Sequence, residues 1–197
     1  EDGFDIMDAG NSSNKGWDLR YSDASGDDEE FLFRTYDASG DGSTTSTITA
    51  DTNLTHDTWY HLVATYDNSA TTGNIYINGV VDATPVTNMV KPADNSSDNV
   101  ALGASQDNEI EAITCEIIYW QGVVLSAAQV SGLYNGGRPR HGLSCERSYI
   151  KGWWKLNSDD QGHPTNNAVL DSSGNSHTGD TGSGLVDADF ETTDVPN

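Results

Sequence analysis

From Thr58 to Thr84 the chain reads Thr-Trp-Tyr-His-Leu-Val-Ala-Thr-Tyr-Asp, a polar gap, then Asn-Ile-Tyr-Ile-Asn-Gly-Val-Val-Asp-Ala-Thr, and few folds can accept that order. Aromatic and β-branched residues crowd Trp59 to Tyr66, which predicts a central strand packed on both faces. Asn68 to Gly73 carries no apolar residue larger than Ala, so a turn is expected there. A second strand follows from Asn74 to Ile77, with Ile75 and Ile77 on one face. Asn78-Gly79 suits a type I′ turn, in which both central residues take φ > 0, so Val80 and Val81 fold straight back. Three antiparallel strands in so short a span make the class all-β.

The flanking sequence continues the pattern. Glu1 to Met7 reads as a short mixed segment ending in a turn from Asp8 to Lys15, and Trp17 to Tyr21 alternates as a strand does. Phe31 to Tyr36 is a further strand between two copies of Asp-Ala-Ser-Gly-Asp, at 23–27 and 37–41. The second copy resembles half of a calcium-binding helix-loop-helix, but Ile48 stands where that loop needs a bidentate Glu. Both copies read instead as hairpin connections in which Asp and Ser cap backbone N–H groups. Ser43 to Thr52 and Val100 to Ala104 are strand candidates, Val86 to Lys91 is a weak edge, and Ile113 to Leu125 should be a buried strand ending near Gly122. Ser126-Ala-Ala-Gln129 has capping-box spacing, with Val130, Leu133 and Tyr134 on one face behind it and Gly136 as the stop, so one helix of two turns is expected. Arg138 and Arg140 mark a basic, solvated connection, Tyr149 to Leu156 returns to strand character, and Asp171 to Asn175 is a tight turn.

Charge restricts partners more than it restricts the fold. A net charge of −22 repels phosphate backbones and anionic lipid surfaces, so no nucleic acid is expected as partner. No apolar run approaches the ~20 residues of a membrane-spanning helix, so no membrane insertion is expected. Asp outnumbers Glu by 23 to 8, which puts the charge on short side chains in turns and suits salty water, calcium or simply an acidic surface. The two cysteines, Cys115 and Cys145, fit no zinc pattern and are expected to form a disulfide, constraining the unfolded chain by about 3–4 kcal/mol. Asn11, Asn53 and Asn95 head glycosylation sequons. No signal peptide is expected at Glu1, and the chain is expected to be part of a larger assembly or a longer chain.

Trp59 to Asp67, Ile75 to Gly79, Ala101 to Gly103, and Glu116 to Ser126 followed by Gln129, Leu133 and Tyr134 stand in an order and spacing that resembles the laminin-G-like, pentraxin-like branch of the concanavalin A-like lectin/glucanase superfamily. The resemblance implies an antiparallel jelly-roll β-sandwich with one short helix. Gly152 to Leu156 and Asp171 to Asn175 resemble the opening of such a domain, although they follow its closing strand here. The expected organisation is a jelly roll over 1–140 lacking its usual opening strands, then a tail over 141–197 that completes this sandwich or a neighbour's. By the same resemblance the chain is a non-catalytic module for glycan binding or adhesion on an extracellular structure or virion surface, with glycans or neighbouring protein subunits as partners. The alternative is a self-assembling structural subunit of a virion or filament. A glycoside hydrolase needs two carboxylates about 5–5.5 Å apart for retention, and the nearest strand run, Glu109-Ile-Glu111, lacks the third acid of that superfamily's motif; no catalytic residue is expected. The resemblance places calcium at Glu116, Asp171 and Asn175, and Tyr21, Tyr36, Tyr60 and Tyr76 are candidates for a sugar-stacking face, with a place in the core as the alternative for each.

Overall fold

A computed structural model describes residues 2–11, 14–23, 29–37, 44–92, 100–103, 113–138, 144–156 and 168–180. The chain divides into two compact units, 1–111 and 112–197. In the first, β1 (Asp2–Asn11), β2 (Asn14–Asp23), β3 (Glu29–Tyr36), β4 (Thr45–Thr49), β5 (Leu62–Asp67), β6 (Thr72–Ile77), β7 (Val80–Val81) and β8 (Val100–Leu102) follow in order. They form a five-stranded antiparallel sheet, β4-β3-β2-β1-β8, and a three-stranded one, β5-β6-β7.

Alternation along the strands sorts residues between faces. Leu19, Phe33 and Ile48 are register partners across β2, β3 and β4 and lie on the apolar face. Phe33 and Ile48 share one core with Ile75 and Ile77 of β6 and with Ala50, Ala83 and Met89, so the two sheets pack as a sandwich. Ile48 and Ile75 are completely enclosed, and their burial stabilises the fold by roughly 1.5–3 kcal/mol each. Close approach sets Gly73: a Cβ there would collide with Met89 Sδ and lie 2.7 Å from Ile48 Cδ1.

The Asn78-Gly79 turn is as expected, with φ of 52° and 80° and Ile77 opposite Val80. Asn78 Oδ1 also accepts the His61 N–H at 3.0 Å, extending the hairpin beyond its ladder. Three expectations shift. The strand expected from Trp59 begins at Leu62, after a turn in which Asp57 has φ 56°. The central strand of the three-stranded sheet is β6, whose Ile75, Tyr76 and Ile77 are all buried, with β5 beside it. The turn expected from Asp8 to Lys15 is instead the paired end of a long hairpin, Ala9 opposite Trp17. A register shift between Asp5 and Met7 breaks the period of two there and hides the strand from pattern reading.

The second unit holds β9 (Ile117–Trp120), α1 (Ala127–Tyr134), β10 (Ile150–Trp154), β11 (Ala168–Val169) and β12 (Gly179–Asp180). β9 starts late within its apolar run because Glu116 takes a left-handed φ of 55°. Both halves of the α1 capping box form, Val130 and Leu133 are buried, and Asn135 takes the left-handed stop one residue before Gly136. A 3₁₀ turn, Arg147–Tyr149, leads into β10, which pairs antiparallel with β9 of the same chain. Copies of Asp-Ala-Ser-Gly-Asp lie largely outside the described residues.

Candidate functional site

On the polar face of the five-stranded sheet, register makes Asp18 and Arg34 cross-strand partners. Arg34 Nε donates to Asp18 Oδ1 at 2.8 Å and Nη2 to Oδ2 at 2.6 Å, a bidentate pair. Tyr36, two residues on and so on the same face, donates its hydroxyl to Asp18 Oδ2 at 2.6 Å, and the guanidinium lies 5.5 Å from the Tyr36 ring centre. Asp5 Oδ1 stands 3.8 Å from Arg20 Nε and 4.0 Å from Arg34 Nη2. Asp18 is only 2 % exposed. Burial alone would lower the Arg34 pKa, but the hydrogen bond and charge of Asp18 outweigh it and raise it. Burial first, and then Asp18, push the Tyr36 hydroxyl far above its ordinary value. Arg34 is therefore a fixed cation and Tyr36 a fixed donor at neutral pH, and Asp18 has both oxygens occupied.

Tyr36 is thus a buried structural donor, not an open stacking platform. Tyr76 is also buried, in the middle strand β6, which takes the core alternative over the sugar-stacking one. Tyr60 is half-buried; its hydroxyl accepts the Thr55 N–H at 2.9 Å and its ring stands edge-on to Phe31 at 6.1 Å. The physical reason is shared: each ring lies beside apolar or charged neighbours that sequence pattern cannot place on a face without the register.

In the second unit the Asp171 side chain is fully enclosed. Its Oδ1 accepts the N–H groups of Trp153 and Ser173 at 3.0 and 2.8 Å. Its Oδ2 accepts the Ser173 hydroxyl at 2.8 Å and the His177 N–H at 2.9 Å. Burial works to raise this carboxyl's pKa, but the bonds from Ser173, His177 and Trp153 together hold it below the usual carboxylate range. Asn175 donates Nδ2 to the carbonyl of Ile150 at 2.8 Å. Glu116 Oε2 accepts the Trp153 indole N–H at 2.7 Å. Trp153 therefore joins Glu116 and Asp171, by its ring and its backbone. A calcium ion takes six to eight oxygen ligands, whereas four protein donors already fill the Asp171 acceptor sites, which leaves these three residues only Asn175 Oδ1 and the second Glu116 oxygen to offer. The three residues do not fit a calcium site, and no cluster of three or more His, Cys, Asp or Glu suited to a metal occurs among the described residues.

Cys115 and Cys145 are free thiols, so the expected disulfide is not formed. Cys145 lies at the Trp120 end of β9, its carbonyl accepting the indole N–H at 3.1 Å, whereas Cys115 precedes the Ile117 end. Burial first, then the adjacent Glu116 and Glu146 respectively, raise both thiol pKa values and keep them protonated. Of the sequons, Asn53 is exposed, Asn11 ends β1, and Asn95 lies outside the described residues.

Asp5, Asp18, Arg20 and Arg34 were not anticipated as a group. The signal was opposite charges at alternate positions of adjacent strands, legible only once Asp18 is known to face Arg34. Against known proteins, the laminin-G family model described as the concanavalin A-like lectin/glucanases superfamily matches residues 2–131, well over half of the chain. No curated protein and no solved structure matches it.

Proposed function

Because the chain belongs to the laminin-G-like family of the concanavalin A-like lectin/glucanase superfamily, whose domains serve carbohydrate binding and adhesion, we propose that it is a non-catalytic glycan-binding module displayed on an extracellular structure or a virion surface. The family match from 2 to 131 supports the glycan-binding part of this reading. The Asp18 environment supports it: a carboxylate held by Arg34 and Tyr36 through three short bonds is a brace for the sheet, not a nucleophile or proton carrier.

A second reading, a subunit that binds only its neighbours, draws on one observation. Val80 and Val81 are 67 % and 45 % exposed on the two-residue strand β7, which ends its sheet among the described residues. A panel of immobilised polysaccharides probed with the isolated protein tests the first reading, and retention on at least one is expected. Retention on none, with a concentration-dependent oligomer by light scattering, would replace it with the second.

A further inference from the structure

Outside the family match, the second unit carries an open groove of about 640 Å³ lined by Glu146, Arg147, Ser148, Ile150, Ser173 and Asn175. We propose that this groove is a subsite for a neutral saccharide chain. The proposal rests on the glycan-binding reading and assigns it a place and a ligand class.

One lining residue, Glu146, is anchored by the helix. Gln129 uses Oε1 to accept from the N–H and hydroxyl of Ser126, both at 2.8 Å, which leaves its Nε2 to donate to Glu146 Oε1 at 2.7 Å. The capping box of α1 thereby fixes the Glu146 carboxylate. Glu146 also sits at a φ of 46°, a conformation that residues other than glycine adopt rarely and that recurs at ligand sites. Asp171 anchors another. It fastens Ser173, whose hydroxyl oxygen accepts the Asn175 N–H at 3.2 Å, and Asn175 Nδ2 is tied to the Ile150 carbonyl. The turn that does not suit calcium holds a groove wall instead.

These bonds leave a defined set of groups available. Glu146 Oε2 and Asn175 Oδ1 are acceptors without a partner among the described residues, and the Arg147 guanidinium and Ser148 hydroxyl, both on exposed residues, likewise have none there. Ile150, 4 % exposed, contributes an apolar element to the lining. Each sugar hydroxyl both donates and accepts, so fixed carboxylate and amide acceptors beside a guanidinium donor and a hydroxyl match a pair of neighbouring hydroxyls. Tyr149, next in the chain to Ser148, is 40 % exposed, and its ring is set against Gly122, where an added Cβ would lie 3.4 Å from Cδ1. It offers this segment an aromatic surface for the C–H face of a sugar ring. The volume falls within the ~300–1,000 Å³ typical of ligand pockets.

Charge selects the class. Glu146 lines the groove and the whole chain carries −22, so an anionic saccharide meets repulsion that a single Arg147 does not offset, while a neutral one meets none.

The test is affinity retention of the whole chain, with Arg147→Ala and Ser148→Trp beside it, on immobilised β-glucan, galactan and mannan and on polyuronate and sulfated galactan. The wild-type chain is expected to be retained on a neutral polymer, with little dependence on salt. Each variant should weaken retention by about tenfold or more, at an unchanged melting temperature, since both side chains are exposed. Variants retained as well as wild type would overturn the groove and leave glycan binding standing. Retention on the anionic polymers alone would overturn the ligand class. Retention on no polymer would bring down the glycan-binding reading and the groove with it.

Discussion

Asp18 and Asp171 are both carboxylates withdrawn from water, yet they are held in opposite ways. Asp18 is compensated by a full charge, Arg34, which lies sixteen residues away in sequence and reaches it only because β2 and β3 pair in one register. Asp171 is compensated by dipoles: three backbone N–H groups and one hydroxyl, most of them within six residues, with no cation at hydrogen-bond distance among the described residues. A charge-compensated group depends on the sheet around it, and loss of its partner leaves a bare ion in a dry place. A dipole-compensated group depends on its own turn, and loss of the carboxylate leaves several weaker orphans.

The largest effect should therefore come from Arg34→Met. Removing the cation strands the Asp18 carboxylate and is expected to cost about 3–5 kcal/mol, read from the urea midpoint at an unchanged slope. A loss under about 1 kcal/mol would mean that water reaches Asp18 and would erase the contrast. Asp171→Ala should follow at about 2–3 kcal/mol, since the Trp153, Ser173 and His177 N–H groups lose their acceptor. Its signature is in pH. The folded Asp171 pKa lies below the unfolded value, so the stabilisation is complete above about pH 4 and disappears as pH falls through the folded pKa. The wild-type chain should lose stability on acidification into that range, and Asp171→Asn should lose less of it. Equal acid slopes in the two proteins would contradict the assignment.

Tyr36→Phe sharpens the other side of the comparison at about 1–1.5 kcal/mol, one hydrogen bond to a charged acceptor. The folded Tyr36 pKa is raised, so its contribution is complete below about pH 10 and is lost as pH climbs toward the folded value. The variant should accordingly be less sensitive to alkali than the wild-type chain, as alkaline melting curves would reveal. The smallest effect is expected from chelation. With the Asp171 oxygens filled by protein donors, EDTA should leave the melting temperature unchanged; a fall of several degrees reversed by calcium would show that a cation takes part after all.

Much of this was legible in one dimension. The Asn78-Gly79 turn, the Ser126–Gln129 capping box, and the Val130 and Leu133 helix face were predictable because each rests on neighbours within four residues, where backbone sterics and side-chain reach decide the outcome. The site was less so. Tyr36 and Tyr76 have the composition of sugar platforms but lie inside, one bonded to Asp18 and the other in the middle of a sheet. Asp171 and Glu116 carry the chemistry of calcium ligands but meet at Trp153. Cys115 and Cys145, a natural pair by count, are free thiols.

By itself the sequence determined an all-β antiparallel class, the hairpin, the one α-helix among the described residues, and the family, because periodicity and local turn chemistry need no knowledge of distant partners. Only the tertiary structure decided which carboxylates are braces, which aromatics are core, and that Glu146, held by Gln129, lines one groove with Asn175. Those facts depend on register and on contacts between segments far apart in the chain, and a shift of one residue in pairing would turn every side chain of a strand to the other face.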